Sequence, residues 1–220
     1  MCKNQFITIA IDGAAGSGKS TTSQAICAKF KYIHVDTGLH YRSFSLFFMN
    51  QNISPDLVSA FIKSNEISLS SIIKNSSVYL QINDEYFPPS QLRNESMNKE
   101  VSFYARIPEV RSLLLSYQRN LVGYVQKNDS NGIVMDGRDI GSVVLPSAHL
   151  KFYLHADINL RQMRRVSDGE NDSIAGRDQL DSNRKIAPLV CPEGAISIDT
   201  GKMIPEEVLE FISSKINDLL

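Results

Sequence analysis

The chain has 220 residues, 42% hydrophobic and 21% charged, with 23 Lys and Arg against 24 Asp and Glu. That composition excludes a disordered chain, and near-neutral charge excludes global attraction to nucleic acid or an anionic membrane. A chain this long buries a substantial core, and one domain with insertions is expected.

Three cysteines, at positions 2, 27 and 191, form no CxxC pair and no metal-ligand spacing. Cys27 shares a helical face with Ile26 and Phe30 and reads as a small buried hydrophobe. This usage suits a reducing cytoplasm, which is the expected location. The apolar stretch from Phe6 to Ile11 is too short for the core of a signal peptide, and no run reaches the length of a membrane span.

The first predicted strand, ending at Ile11, leads into "DGAAGSGKSTTSQAI". Gly13, four residues, Gly18, Lys19 and Ser20 fit GxxxxGK[ST], with a strand before and a helix after. Phosphate oxygens need several N–H donors converging at close range, and side chains would block that approach. Glycines let the loop wrap, the helix N-terminus adds positive potential, Lys19 adds a point charge and Ser20 offers a hydroxyl to Mg²⁺.

A second strand, Tyr32 to Val35, runs into "DTGLHYRS". Thr37 is placed to cap a helix, and Tyr41 and Arg42 fall in its first turns, near the sheet edge where α/β ligands bind. Capping and a solvated arginine explain the same residues. Residues 66–104 break the rhythm: Val78, Leu80 and Ile82 alternate with polar neighbours, and "NDE" looks like a hairpin turn. This predicts a small antiparallel insert, followed by a helix ending near Pro108.

Ile133 to Met135 form the next strand, which enters "DGRDIG" at 136–141. Two carboxylates and a guanidinium framed by glycines either face a ligand or form an internal ion pair. Leu150 to Leu154 and Ala195 to Ile198 are further buried-type strands. Such runs alternating with helices predict a parallel α/β sheet. Between the last two, Arg161, Arg164 and Arg165 share a helical face. The polar stretch 167–176 has little to bury and reads as a mobile loop, and Arg177, Asp181 and Arg184 follow at helical spacing. Solvated faces with i,i+4 pairs explain each group separately. Together they fit a lid bringing cations onto a transferring phosphate.

These residues leave open a phosphotransferase or a GTPase-type switch. The nearest approach to a guanine-reading NKxD motif, Asn98-Lys99-Glu100-Val101, lacks the aspartate and lies in the insert.

The chain resembles the bacterial cytidylate kinases, a branch of the nucleoside monophosphate kinases, over nearly its whole length. The resemblance rests on "IAIDGAAGSGKST", "VDTGLHYR", "RIPEVRSLLLSYQR", "IVMDGRDIGSVVLPSAHLKFYL" and "RDQLDSNRKIAPL", in that order. The implied fold class is α/β: a P-loop three-layer fold with a central five-stranded parallel sheet, a small antiparallel-strand insert and a short mobile lid. Residues 1–220 would form a single P-loop kinase domain, with an acceptor-nucleotide-binding insert at 66–104 and the lid at 166–177.

The implied reaction moves the γ-phosphoryl group of ATP to CMP or dCMP, with Mg²⁺. The implied catalytic set is Lys19, Arg138, Arg161, Arg165 and Arg177. Gly13, Ala14, Ala15, Gly16, Ser17, Gly18, Lys19, Ser20 and Thr21 would hold the ATP phosphates, with Ser20 at Mg²⁺. Thr37, Tyr41 and Arg42 would face the acceptor monophosphate, and Ser102 and Arg111 the pyrimidine. Arg138 would reach the acceptor phosphate and Asp139 the base, Arg177 and Asp181 the sugar, and Arg184 the phosphate. Cytosine offers an amino donor that a carboxylate accepts, whereas uracil places an acceptor there. No nucleic-acid polymer or membrane partner is expected, and the protein is expected to be a monomer.

Three features depart from the family pattern. The lid is shorter, Leu180 stands where an arginine is frequent, and Ala14 replaces a proline. The alternatives are a kinase for another small acceptor such as UMP, or a nucleotide-binding regulator with reduced turnover.

Overall fold

Every residue of β1 (Ile7–Gly13) is buried, as expected of a strand covered on both faces. Ile7, Ile9 and Ile11 pack with Ile26, Phe152 and Ile212 on one side, while Ala10 joins Phe44, Phe48 and Leu114 on the other. The period of two thus separates two cores, and the sheet lies between two helical layers. The computed structural model describes residues 5–169, 174, 176, 178 and 188–220.

After β1 come α1 (Lys19–Phe30), β2 (Ile33–Asp36), α2 (Thr37–Asn50) and α3 (Pro55–Ser64). The insert contains β3 (Leu69–Lys74), β4 (Ser77–Ile82), β5 (Glu85–Tyr86), α4 (Pro89–Leu92) and α5 (Glu95–Tyr104). Then follow α6 (Pro108–Lys127), β6 (Gly132–Gly137), a π-helical turn at Ile140–Val144, β7 (Leu150–His155), α7 (Ile158–Ser167), β8 (Ile196–Asp199) and α8 (Pro205–Asn217). The predicted five-stranded parallel core is present as β2-β6-β1-β7-β8.

The insert is antiparallel as expected, and the NDE turn takes left-handed backbone at Asn83 (φ 49°) and Asp84 (φ 64°). It is not a separate appendage, however. Strand β4 runs parallel to β2 through the pair His34 and Ser77, so one eight-stranded sheet spans core and insert. The insert's helices are therefore held over the carboxyl edge of β2. Phe48 anchors this side, stacking on Tyr104 of α5 at 5.9 Å and meeting Phe61 of α3 edge-on at 6.0 Å. Among the described residues no helix is long and apolar enough to cross a membrane.

The reading of 167–176 as a mobile loop with little to bury falls in part on residues outside those described. Ile174 is buried, and its N–H donates to Gln162 Oε1 at 3.1 Å. The remaining residues of that stretch past Gly169, apart from Gly176, lie outside those described.

Candidate active site

The loop from Gly13 to Ser20 leaves the end of β1 and enters α1 at Gly18, whose φ is 86°. No side chain caps α1 and no acidic residue occupies its first turn, so its leading N–H groups remain available to an anion. Gly16 also has a left-handed φ of 71°, and a Cβ there would lie 2.5 Å from the Arg161 carbonyl. The backbone of α7 presses directly on the loop and requires a bare position. Lys19 is buried, and its Nζ donates to Ala14 O at 2.7 Å. Burial, with the Arg138 charge beside it, lowers its pKa to about 7. An arriving polyanion would favour the charged form again.

Two clefts meet over this loop. Asp36, Thr37, Tyr41, Arg42, Ser102, Arg138 and Asp139 line the first, on the side of α2 and the insert. Gly18, Thr21, Arg164, Thr200 and Val208 line the second, on the side of α7 and α8. Gly16, Lys19, Ser20, Arg93 and Arg165 line both.

Side chains from distant segments interlock on the first side. Arg42 donates to Leu92 O at 2.8 Å and to Asn98 Oδ1 at 2.6 Å. Arg111 is buried, pairs closely with Asp139, donates to Ala105 O at 3.2 Å and lies over the Tyr41 ring at 5.5 Å. Arg138 donates to Gly13 O at 3.1 Å, tying this cleft to the phosphate loop. Thr37 donates to Asp136 O at 2.7 Å, and its Oγ1 would lie 2.5 Å from a Cβ at Gly137.

The strand ends at this site carry three acids, Asp12 and Asp136 buried and Asp36 half-buried. Asp12 accepts from the Ile140 and Gly141 N–H groups at 2.6 and 2.7 Å, fixing the π-helical turn to β1. Burial pushes its pKa to about 6, against those two bonds. His34 Nε2 meets Asp136 Oδ2 at 3.0 Å. Burial opposes charge on both, but their mutual bond prevails, raising the histidine and lowering the aspartate. Asp36 caps α2 by accepting from Leu39 N at 3.2 Å, and burial and the Asp136 charge raise its pKa.

The structure thus brings most of the predicted site residues together. Arg111 stands behind Asp139 rather than on the cleft wall. Arg161 lines neither cleft: its guanidinium donates to Ala156 O and Ala15 O, both at 3.0 Å, and pairs with Asp178 at 2.6 Å. In this structure it braces the phosphate loop from below. Arg164 holds Thr200 at 2.7 and 3.0 Å on the second side. Arg177, Leu180, Asp181 and Arg184 lie outside the described residues. Cys27 is buried as read, with burial raising its pKa to about 12. Sequence reasoning missed Arg93 and Asn98, which depend on contacts to Asp36 and Arg42 more than fifty positions away and follow no local spacing.

A parallel sheet with a GxxxxGKS loop feeding a helix, and two clefts meeting over its lysine, defines the class of P-loop phosphotransferases. Residues 9–218 match the cytidylate kinase family. The chain is 37% identical to the cytidylate kinase of Caldanaerobacter subterraneus subsp. tengcongensis, covering 94% of this chain and 93% of that protein. It is 36% identical to that of Clostridium tetani, covering 97% and 95% respectively. Shikimate kinase from Acinetobacter baumannii superposes with a TM-score of 0.50 at 13% identity, covering 98% of this chain and 95% of that one, a likeness of fold alone. The chain belongs to the cytidylate kinase family.

Proposed function

We propose that the protein transfers the γ-phosphoryl group of ATP to CMP or dCMP, giving ADP and CDP or dCDP. An oxygen of the acceptor phosphate attacks the γ-phosphorus, the bond to the β–γ bridging oxygen breaks, and ADP leaves with that electron pair. The acceptor is already anionic, so no protein base is needed, and catalysis is positioning and charge neutralisation.

The observation that carries this reading is the meeting of two separately lined clefts over Lys19 and Ser20. The side holding Asp139, backed by Arg111, suits the acceptor nucleotide. A carboxylate there accepts from the cytosine amine and repels the uracil carbonyl at the same ring position. Thr37, Tyr41, Arg42, Ser102 and Arg138 share that wall and serve the acceptor. The helix-α8 side takes ATP, its phosphates wrapped by residues 13–21. Lys19, Arg138 and Arg165 neutralise charge in the transferring group, while Arg161 keeps the loop in shape from behind. Residues 166–177 serve as a short lid, with Arg177 and Asp181 toward the acceptor sugar and Arg184 toward its phosphate.

Ser20, half-buried at the first turn of α1, and the carboxylate of Asp136 on the same cleft suit Mg²⁺. That ion is commonly carried on phosphates and water with only one or two protein ligands. When bound it offsets the charge of the β and γ oxygens. This reading carries with it a monomer acting in the cytoplasm.

The test is coupled ADP release across CMP, dCMP, UMP and AMP. CMP or dCMP should exceed UMP and AMP by roughly tenfold or more in kcat/KM, the worth of one charge-assisted hydrogen bond. Equal turnover of UMP would favour a broader acceptor kinase. ATP binding without turnover of any acceptor would favour a regulator.

A further inference from the structure

The residues lining both clefts include one that comes from the insert, Arg93. The others belong to the phosphate loop or to α7. A group shared by the two clefts stands where a phosphoryl must cross from one nucleotide to the other.

Its position is fixed from both directions. The Arg93 N–H donates to Pro89 O at 3.1 Å, closing α4, and the adjacent Asn94 caps α5 by accepting from Met97 N at 2.8 Å. The guanidinium donates through Nη2 to Asp36 Oδ2 at 2.8 Å, while the other oxygen of Asp36 caps α2. Among the described residues this is the guanidinium's one hydrogen bond, so the remaining N–H groups of a five-donor fork can serve phosphate oxygens without breaking the ion pair. The Arg93 side chain is 46% exposed, against 14% for Asp36, so the cation reaches outward from a buried anchor. With its arginine about half exposed, the pair is partly screened by solvent and contributes modestly to stability.

We propose that Arg93 is a further catalytic residue, which contacts the phosphates where the clefts meet, and that Asp36 is its positioning residue. The proposal rests on the phosphotransferase reading above. As charge spreads over the equatorial oxygens of the transferring group, a planar cation already held in place stabilises it without reorganising. Because the insert carries Arg93, it serves the reacting phosphates as well as the base.

The test compares wild type with Arg93→Met, Arg93→Lys and Asp36→Asn in steady-state kinetics for CMP and ATP, with melting temperatures for each. Arg93→Met should lower kcat roughly 10- to 100-fold, with smaller changes in both KM values and an unchanged melting temperature. Lysine should restore part of kcat, because charge survives without the fork. Asparagine at 36 keeps the helix cap, and should lower kcat by less than Arg93→Met. A kcat for Arg93→Met within twofold of wild type would overturn the proposal, as would a loss tracking only melting temperature. Wild type inert toward every acceptor would overturn the phosphotransferase reading, and this proposal with it. Active wild type with an unaltered Arg93→Met variant would overturn this proposal alone.

Discussion

The two sides of the cleft are built differently. The phosphate end of the helix-α8 side comes from one short stretch between Gly16 and Thr22, where two glycines bare the backbone at the start of α1. The α2 side is assembled from side chains bound across 50 residues (Arg42 to Leu92), 57 (Arg93 to Asp36) and 99 (Thr37 to Asp136). A triphosphate is recognised by converging N–H groups, which a single turn can supply. A particular base needs donors and acceptors at fixed positions, and the proposed base reader Asp139 is likewise held by a partner from another segment, Arg111, 28 residues away. Generic recognition is thus local, whereas specific recognition belongs to the tertiary fold.

Substitutions on the two sides should therefore fail differently. The largest effect belongs to Lys19→Ala, which should lower kcat roughly 100-fold or more. The loss should be equal for CMP, dCMP and any slower acceptor, since the proposed mechanism assigns the lysine to phosphates common to all. Turnover of each acceptor by this variant, with circular dichroism to verify the fold, checks it. A loss confined to one acceptor would break the division of labour.

The smallest effect concerns the packing behind the acceptor side. His40 of α2 is buried against the edge of Tyr117 at 5.3 Å, and neither ring nitrogen has a hydrogen-bond partner among the described residues. Burial, and then the His34 charge, push its pKa down to about 3. Below the ordinary histidine pKa the unfolded chain takes up a proton that the folded chain refuses. Stability is therefore lost as pH falls from about 6.5 toward 3. His40→Leu should raise stability at neutral pH, and its advantage should grow by about 2 kcal/mol between pH 8 and pH 5. Denaturant unfolding at the two values measures this, and an advantage that shrinks on acidification would contradict it.

Legibility in the sequence follows the same division. The phosphate loop could be read because glycine placement, lysine and serine all fall within eight positions and bear on one job. The five parallel strands could be read because strands buried on both faces are continuous apolar runs. Continuity of the insert with the core sheet could not, because it depends on one residue pair, His34 with Ser77, that leaves no periodic trace. Asp139 stood out as a charge beside glycines. Its partner Arg111 was placed only by family resemblance, and nothing near Arg93 marks it as an ion-pair partner of Asp36. Arg161 shares a helical face with Arg164 and Arg165, yet faces the underside of the loop, because α7 crosses it at Gly16.

The central claim is that Asp139 reads the acceptor base. Its most direct test is the CMP-to-UMP ratio of kcat/KM in wild type and in Asp139→Asn. An amide can turn a donor toward uracil but no longer offers cytosine a charged acceptor. The ratio should fall roughly 10- to 100-fold, the equivalent of about 1.5–3 kcal/mol. If both acceptors lose activity alike and the ratio is unchanged, Asp139 is only the ion-pair partner of Arg111, and the claim is contradicted.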